Sequence, residues 1–126
     1  MRATLYVASR GPAAVRLPEI AKETHAPARY LAKILAQLAR GGVLTSMRGP
    51  GGGFRLASRD RRISLSSIFA VFEPPTPRRC LLGHGVCGHN PDCPVHEKWA
   101  PIAELSADFF ARTTIADLVP PQTFQR

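Results

Sequence analysis

No stretch of this 126-residue chain is apolar for the roughly 20 residues that a membrane helix needs, so no spanning segment and no membrane partner are expected. The opening residues, MRATLYVASRGP, contain no apolar core followed by small cleavage residues, which argues against a secretory signal. Cysteine is scarce and odd in number: three residues without an export signal do not make a disulfide framework, and the chain reads as cytoplasmic. No serine or cysteine stands in a recognisable pattern with an activating histidine, and no carboxylate pair has a defined context. Neither an enzyme nor a small-molecule substrate is therefore expected. Internal repeats and low-complexity tracts are missing too. The glycine run at 49–53 lacks the Gly-Lys-Ser/Thr ending of a phosphate loop and no helix pattern follows it, which excludes a nucleotide site there.

Acidic residues are nearly absent from the first half of the chain. Residues 1–62 carry twelve Lys/Arg against Glu19, Glu23 and Asp60, a net +9, whereas residues 63–126 hold five basic and six acidic side chains, a net −1. A basic half beside a near-neutral half points to one surface that meets a polyanion and another with different work. With 44% hydrophobic residues, the chain has material for a single modest core.

Segment 2–10 reads as a helix stopped by Gly11-Pro12, and segment 17–24 as a second short helix with Leu17, Ile20 and Ala21 on one side. The clearest helix runs from Pro27 to Arg40: proline suits the first helical position and Gly41-Gly42 supplies the stop. Its Leu31, Ile34, Leu35 and Leu38 fall on one face, with Arg29, Lys33 and Arg40 opposite. Two strands are expected at 43–47 and 53–57, joined by a turn-rich linker as a β-hairpin. A further helix at 64–72 opens on Ser64 as cap. Residues 78–94 read as an irregular loop that holds every cysteine. The last helix is expected over 95–111, with Val95, Trp99, Ile102, Ser106 and Phe109 on one face and Glu97, Glu104 and Asp108 opposite. Pro101 conflicts with a continuous helix, because inside one it removes a hydrogen bond, so a start at Pro101 is the alternative.

Two short helices, a tight turn and a basic second helix make a helix-turn-helix, and the hairpin makes it winged. The expected fold is mainly α with a small β-hairpin wing and a long C-terminal dimerisation helix. Any three-helix bundle shares the helical periodicities, so the hairpin narrows the reading. The candidate DNA-reading residues are Ala28, Arg29, Tyr30 and Lys33, at the end of the second helix that approaches base edges in the major groove. At the hairpin, Arg48 and Arg55 flank Gly49, Gly51 and Gly52, whose bare backbone can come close to phosphate.

Cys80, Cys87 and Cys93 are spaced C-x6-C-x5-C, and His96 follows Cys93 in the order Cys-Pro-Val-His. Cytosolic cysteines gathered on a Gly- and Pro-rich loop suggest a metal site. An iron–sulfur cluster takes thiolates, and histidine can replace one of them. A Cys3His zinc site is the rival, although its ligands usually begin with closer pairs. Plain thiols are the third reading. His84 and His89 lie in the same loop and read as solvated.

The run LPEIAKETHAPARYLAKILAQLARGGVLTSMRGPGGGFRLA over residues 17–57, and within the chain the segments RYLAKIL, GGVLTSMRGPGGGFRLA and ISLSSIFAVFE, resemble the Rrf2 family of bacterial winged-helix regulators. The resemblance implies a homodimeric transcriptional regulator, a repressor by expectation, that binds double-stranded DNA at a palindromic operator. It also implies a cluster, by expectation 2Fe-2S, on three cysteines between the wing and the long helix. Cys93-Pro94-Val95-His96 with Trp99 behind it is similar to the cluster-regulating branch, which makes Cys80, Cys87, Cys93 and His96 the implied ligands. The nitric-oxide-sensitive branch instead borrows an acidic residue from the partner's N-terminus, a stretch not present here. Two departures stand out: His25 occupies a turn where glycine is frequent, and family members carry further residues ahead of RATLYVA, so the first helix is expected to be short. The implied division is a winged helix-turn-helix at 1–73, a cluster loop at 74–94, and a dimerisation helix with tail at 95–126. A winged-helix regulator without a cluster, using zinc, bare thiols or a partner protein, is the alternative.

Overall fold

A computed structural model of the chain describes residues 1–59, 61–73 and 76–119. Three helices open it: α1 over Arg2–Ser9, α2 over Leu17–Thr24 and α3 over Ala28–Arg40. A hairpin follows, β1 over Leu44–Met47 and β2 over Gly53–Leu56, and then α4 over Leu65–Ala70. The second half holds α5 over His96–Arg112 and a short α6 over Ile115–Leu118. The mainly α fold with a two-stranded antiparallel wing agrees with the expectation.

Amphipathic faces explain the packing. Leu31, Leu35 and Leu38 of α3 are buried, as are Val7 and Ala8 of α1, Ile20 of α2 and Val43 and Leu44 at the wing's base. Each buried Leu, Ile or Val among them contributes about 1.5–3 kcal/mol through burial. The α2 turn closes on His25, which sits in the left-handed region at φ 53°, while the amide of Ala26 bonds back to the Ala21 carbonyl at 3.2 Å. Glycine suits that conformation best, which accounts for the residue type expected there. At the end of α3, Gly42 takes φ 79°, and the Val43 and Gly42 amides bond the carbonyls of Leu38 and Ala39 at 3.0 and 3.2 Å. That pattern turns the chain sharply into β1.

Leu44 pairs with Leu56, Thr45 with Arg55, Ser46 with Phe54 and Met47 with Gly53. A third, single-residue rung was not expected: Val15 and Phe54 exchange amide–carbonyl bonds of 2.8 Å in both directions, tying the wing to the chain between α1 and α2. Gly53, at φ 140°, lies so close to Val15 that an added Cβ would collide with the Val15 carbonyl.

The C-terminal end agrees with the expectation in one respect and adds to it in another. First, α5 runs over His96–Arg112, continuous through Pro101, as expected for 95–111, which removes the alternative start at Pro101. Pro101 and Glu97 are both exposed, so the carbonyl left without a donor faces water. Second, α6 returns to the winged helix. The Leu65 amide bonds the Thr113 carbonyl at 2.9 Å, the Ile115 amide bonds Ile63 at 3.0 Å, and the Ala116 amide bonds Arg61 at 2.9 Å. Ile115 is fully buried and Val119 buried in the same core as α1–α3. No helix among the described residues is long and apolar enough to cross a membrane.

Candidate DNA-reading surface and cysteine centre

The buried face of α3 fixes which residues remain outside. Ala28, Arg29, Tyr30 and Lys33 are all exposed in its first two turns, and Tyr30 retains 62% of its surface, a large apolar ring left in water beside a guanidinium. An exposed aromatic next to cations is suited to contact with stacked bases and sugar edges. Arg48, Gly49 and Gly51 are exposed at the hairpin tip, whereas Arg55 is half-buried on β2. Gly52 is placed differently: it is buried, and its amide donates to the Gly49 carbonyl at 2.9 Å, closing the turn. A Cβ there would meet the carbonyls of Met47 and Gly49. The close approach to Val15 makes Gly53 a further glycine that the wing requires, and its place at the start of β2 is the sequence signal for it.

The cysteine loop is more ordered than its composition suggests. Residues 78–87 fold back on themselves: the Cys80 amide bonds the Gly85 carbonyl and the Cys87 amide bonds the Arg78 carbonyl, both at 2.7 Å. Glycines at 83 and 85, with φ 82° and 83°, allow the tight reversal. Cys93 is fixed by its own turn, its amide on the Asn90 carbonyl at 3.3 Å and its carbonyl taking the His96 amide at 3.4 Å. All three cysteines are half-buried and free.

The side chains meet in two pairs. Cys80 Sγ lies 3.6 Å from Cys93 Sγ, and Cys87 Sγ lies 3.4 Å from His96 Nδ1. The backbone N–H groups of His84 and then Leu82, aided by Cys93 and Gly83, hold the Cys80 thiol below its ordinary pKa against an opposing push from burial. Among the described residues, no three His, Cys, Asp or Glu side chains gather around one ion-sized point. The donor set nevertheless fits an iron–sulfur group: a tetrahedral metal with metal–sulfur bonds of about 2.3 Å spaces two thiolates about 3.7 Å apart. His96 is the first residue of α5, and Trp99, one turn on, has a buried indole Nε1 with no hydrogen-bond partner. His84 and His89 are both exposed.

Two faces of α5 are apolar. Ala103 is buried, and Phe110 packs edge-on against Phe69 of α4 with ring centroids 5.4 Å apart. The other face leaves Ile102, Leu105 and Phe109 exposed at 58%, 72% and 53%. Of the residues expected on the apolar face, Ile102 and Phe109 fall on this outer one, and Leu105 joins them.

A helix-turn-helix with a hairpin wing and exposed cations on its second helix defines a DNA-binding transcriptional regulator. The chain belongs to the Rrf2 family, described as iron-dependent transcriptional regulators, whose pattern matches residues 1–121. A helix-turn-helix-type transcriptional regulator of Aquifex aeolicus is 37% identical over 120 residues, covering 93% of this chain and 83% of that protein. The regulator IscR of Vibrio campbellii is 27% identical over 105 residues, 83% of this chain and 62% of its own length. Among solved structures, CymR, the global cysteine regulator of B. subtilis, superposes with a TM-score of 0.76 at 25% identity, over 91% of this chain and 85% of that one. T. potens IscR superposes with a TM-score of 0.70 at 23% identity, over 93% and 77% of the two chains, a likeness of fold.

Proposed function

We propose that this regulator is a homodimer whose affinity for a palindromic operator, which it represses, is set by an iron–sulfur cluster held by Cys80, Cys87, Cys93 and His96. The observation that carries the reading is the two facing pairs, Cys80 with Cys93 and Cys87 with His96, on a loop that leads directly into α5. Two ligand pairs match a binuclear 2Fe-2S group better than a single zinc ion, which needs four donors around one point. When bound, such a cluster supplies a one-electron redox couple and a sulfide core open to oxidants.

The chain's own residues carry the rest. Arg29 and Lys33 read base edges, with Ala28 and Tyr30 beside them, while Arg48, Gly49, Gly51 and Arg55 grip phosphate and Gly52 shapes the tip. Residues 1–73 form the reading unit and 74–94 the sensing loop. Residues 95–126 pair with the partner copy through Ile102, Leu105 and Phe109, and within that stretch Ile115 and Val119 anchor back into the reading unit. His96 links sensing to geometry, since holding or releasing its imidazole acts on the first turn of the dimer helix. Coupling of this kind typically amounts to about 1–3 kcal/mol.

Protein purified without oxygen is expected to be coloured, with iron and sulfide in equal amounts, and to lose the colour when Cys80, Cys87 or Cys93 becomes alanine. A colourless preparation holding one zinc per chain would overturn the cluster reading. A second reading, a thiol regulator without a cluster, is favoured by the likeness to a cysteine regulator and by the amide-lined Cys80 sulfur. In that case the anaerobic protein carries neither iron nor zinc.

A further inference from the structure

We propose that, whenever the centre is empty, Cys80 and Cys93 form a reversible disulfide, while Cys87 stays reduced. Three cysteines allow three pairings, and sequence separation favours the shorter ones, Cys80–Cys87 and Cys87–Cys93. The fold selects the longest. Cys80 is pinned by the turn that closes on Gly85, and Cys93 by the turn that opens at Asn90. These two anchors bring the sulfurs to 3.6 Å across thirteen residues. Cys87 points elsewhere, toward His96 Nδ1 at 3.4 Å. Closing the pair needs about 1.5 Å of approach to reach the bond length of about 2.05 Å.

The oxidant is a hydroperoxide. The Cys80 thiolate attacks one peroxide oxygen and the O–O bond breaks. The departing oxygen leaves as water after protonation, and Cys80 becomes a sulfenic acid. The Cys93 thiol then attacks the Cys80 sulfur, forming the S–S bond and expelling the second water. Two thiols lose two electrons, and hydrogen peroxide becomes two waters. The product ties up two of the four proposed ligands, so the oxidised chain cannot take a metal centre until a dithiol reopens it. The pairing rests on the placement of the three cysteines, and it does not depend on which group, cluster or zinc, the centre takes when it is filled.

The test uses full-length, metal-free protein treated with a slight excess of hydrogen peroxide. Two of three thiols should be lost without any intermolecular cross-link on a non-reducing gel. The surviving thiol, alkylated and located by fragmentation in the mass spectrometer, should be Cys87. In parallel, Cys87→Ser should lose both remaining thiols as an intramolecular disulfide, and Cys80→Ser should keep both at the same dose. Cys93→Ser should form no intramolecular disulfide and lose at most the Cys80 thiol, as a sulfenic acid. Alkylation found at Cys80 or Cys93 in the unmutated chain would overturn the assignment. So would equal closure in all three variants, or cross-linking between chains. Failure of the cluster reading shows separately, as an absence of iron and sulfide in the anaerobic preparation.

Discussion

At the scale of single residues, conformation and proton affinity make the sharpest predictions. His25 holds φ 53°, where a Cβ costs an L-residue about 1 kcal/mol or more. His25→Gly should therefore raise stability by about 0.5–1 kcal/mol, read as a higher urea midpoint with unchanged slope. A lower midpoint would mean that the imidazole itself supports the turn. Tyr6 offers a second case: its hydroxyl donates to Glu19 Oε1 at 2.6 Å, and that bond, with burial and the Glu19 charge, holds its pKa above the ordinary phenol value. A group whose folded pKa is raised stabilises the fold below its unfolded pKa, and that support fades as pH rises through the folded value. The Tyr6 contribution is thus complete at neutral pH and is lost on the alkaline side. In a Tyr30→Phe background, phenolate absorbance should appear at lower pH once Glu19 becomes Gln; an identical titration would deny the bond. That Cys80, Cys87 and Cys93 share one loop was legible in the sequence, because spacing shows which side chains lie together along the chain. Their pairing was not. It depends on the backbone bonds from Cys80 to Gly85 and from Cys87 to Arg78, which fold the loop through space.

At the scale of elements, helices with strong apolar spacing were legible to within two residues. Those without it were not: α6 is four residues long, and the Val15–Phe54 rung involves one residue on a side. Pro101 left a later start open as an alternative, because its cost depends on whether Glu97's carbonyl can reach water, which sequence does not state. The wing gives a paired prediction. Gly53→Ala drives a Cβ into the Val15 carbonyl and should cost about 1–3 kcal/mol, whereas Gly51→Ala, with open space around it, should cost about 1 kcal/mol for its φ of 73° alone. Equal costs in urea unfolding would show that the Val15–Phe54 rung does not anchor the wing. For α3, Arg29→Ala should lose about 1–3 kcal/mol of operator affinity and relax one base position. Selection from random duplexes checks this, and an unchanged motif would remove Arg29 from the readers.

At the scale of the whole molecule, charge and the outer face of α5 belong to one argument. The first half carries the cations, and a dimer doubles their number along the DNA. If about six phosphates are neutralised per dimer, log affinity should fall against log salt with a slope of about −5. Leu105 is 72% exposed and contributes nothing to the chain's own core, so Leu105→Glu should leave helix content and monomer folding intact. In a dimer the same carboxylates would face each other across an apolar seam, and pairing should fail. The variant should then sediment as a monomer at concentrations where the parent is a dimer. Its salt slope should fall to about half, because each monomer meets half the phosphates. Separating the two readouts matters: a monomeric variant that kept the full slope would place the DNA contacts on one copy, and a variant still dimeric would move the interface off Ile102, Leu105 and Phe109. Neither outcome touches the winged helix itself, whose core is closed by Ile20, Leu35, Leu38 and Ile115 from within the single chain.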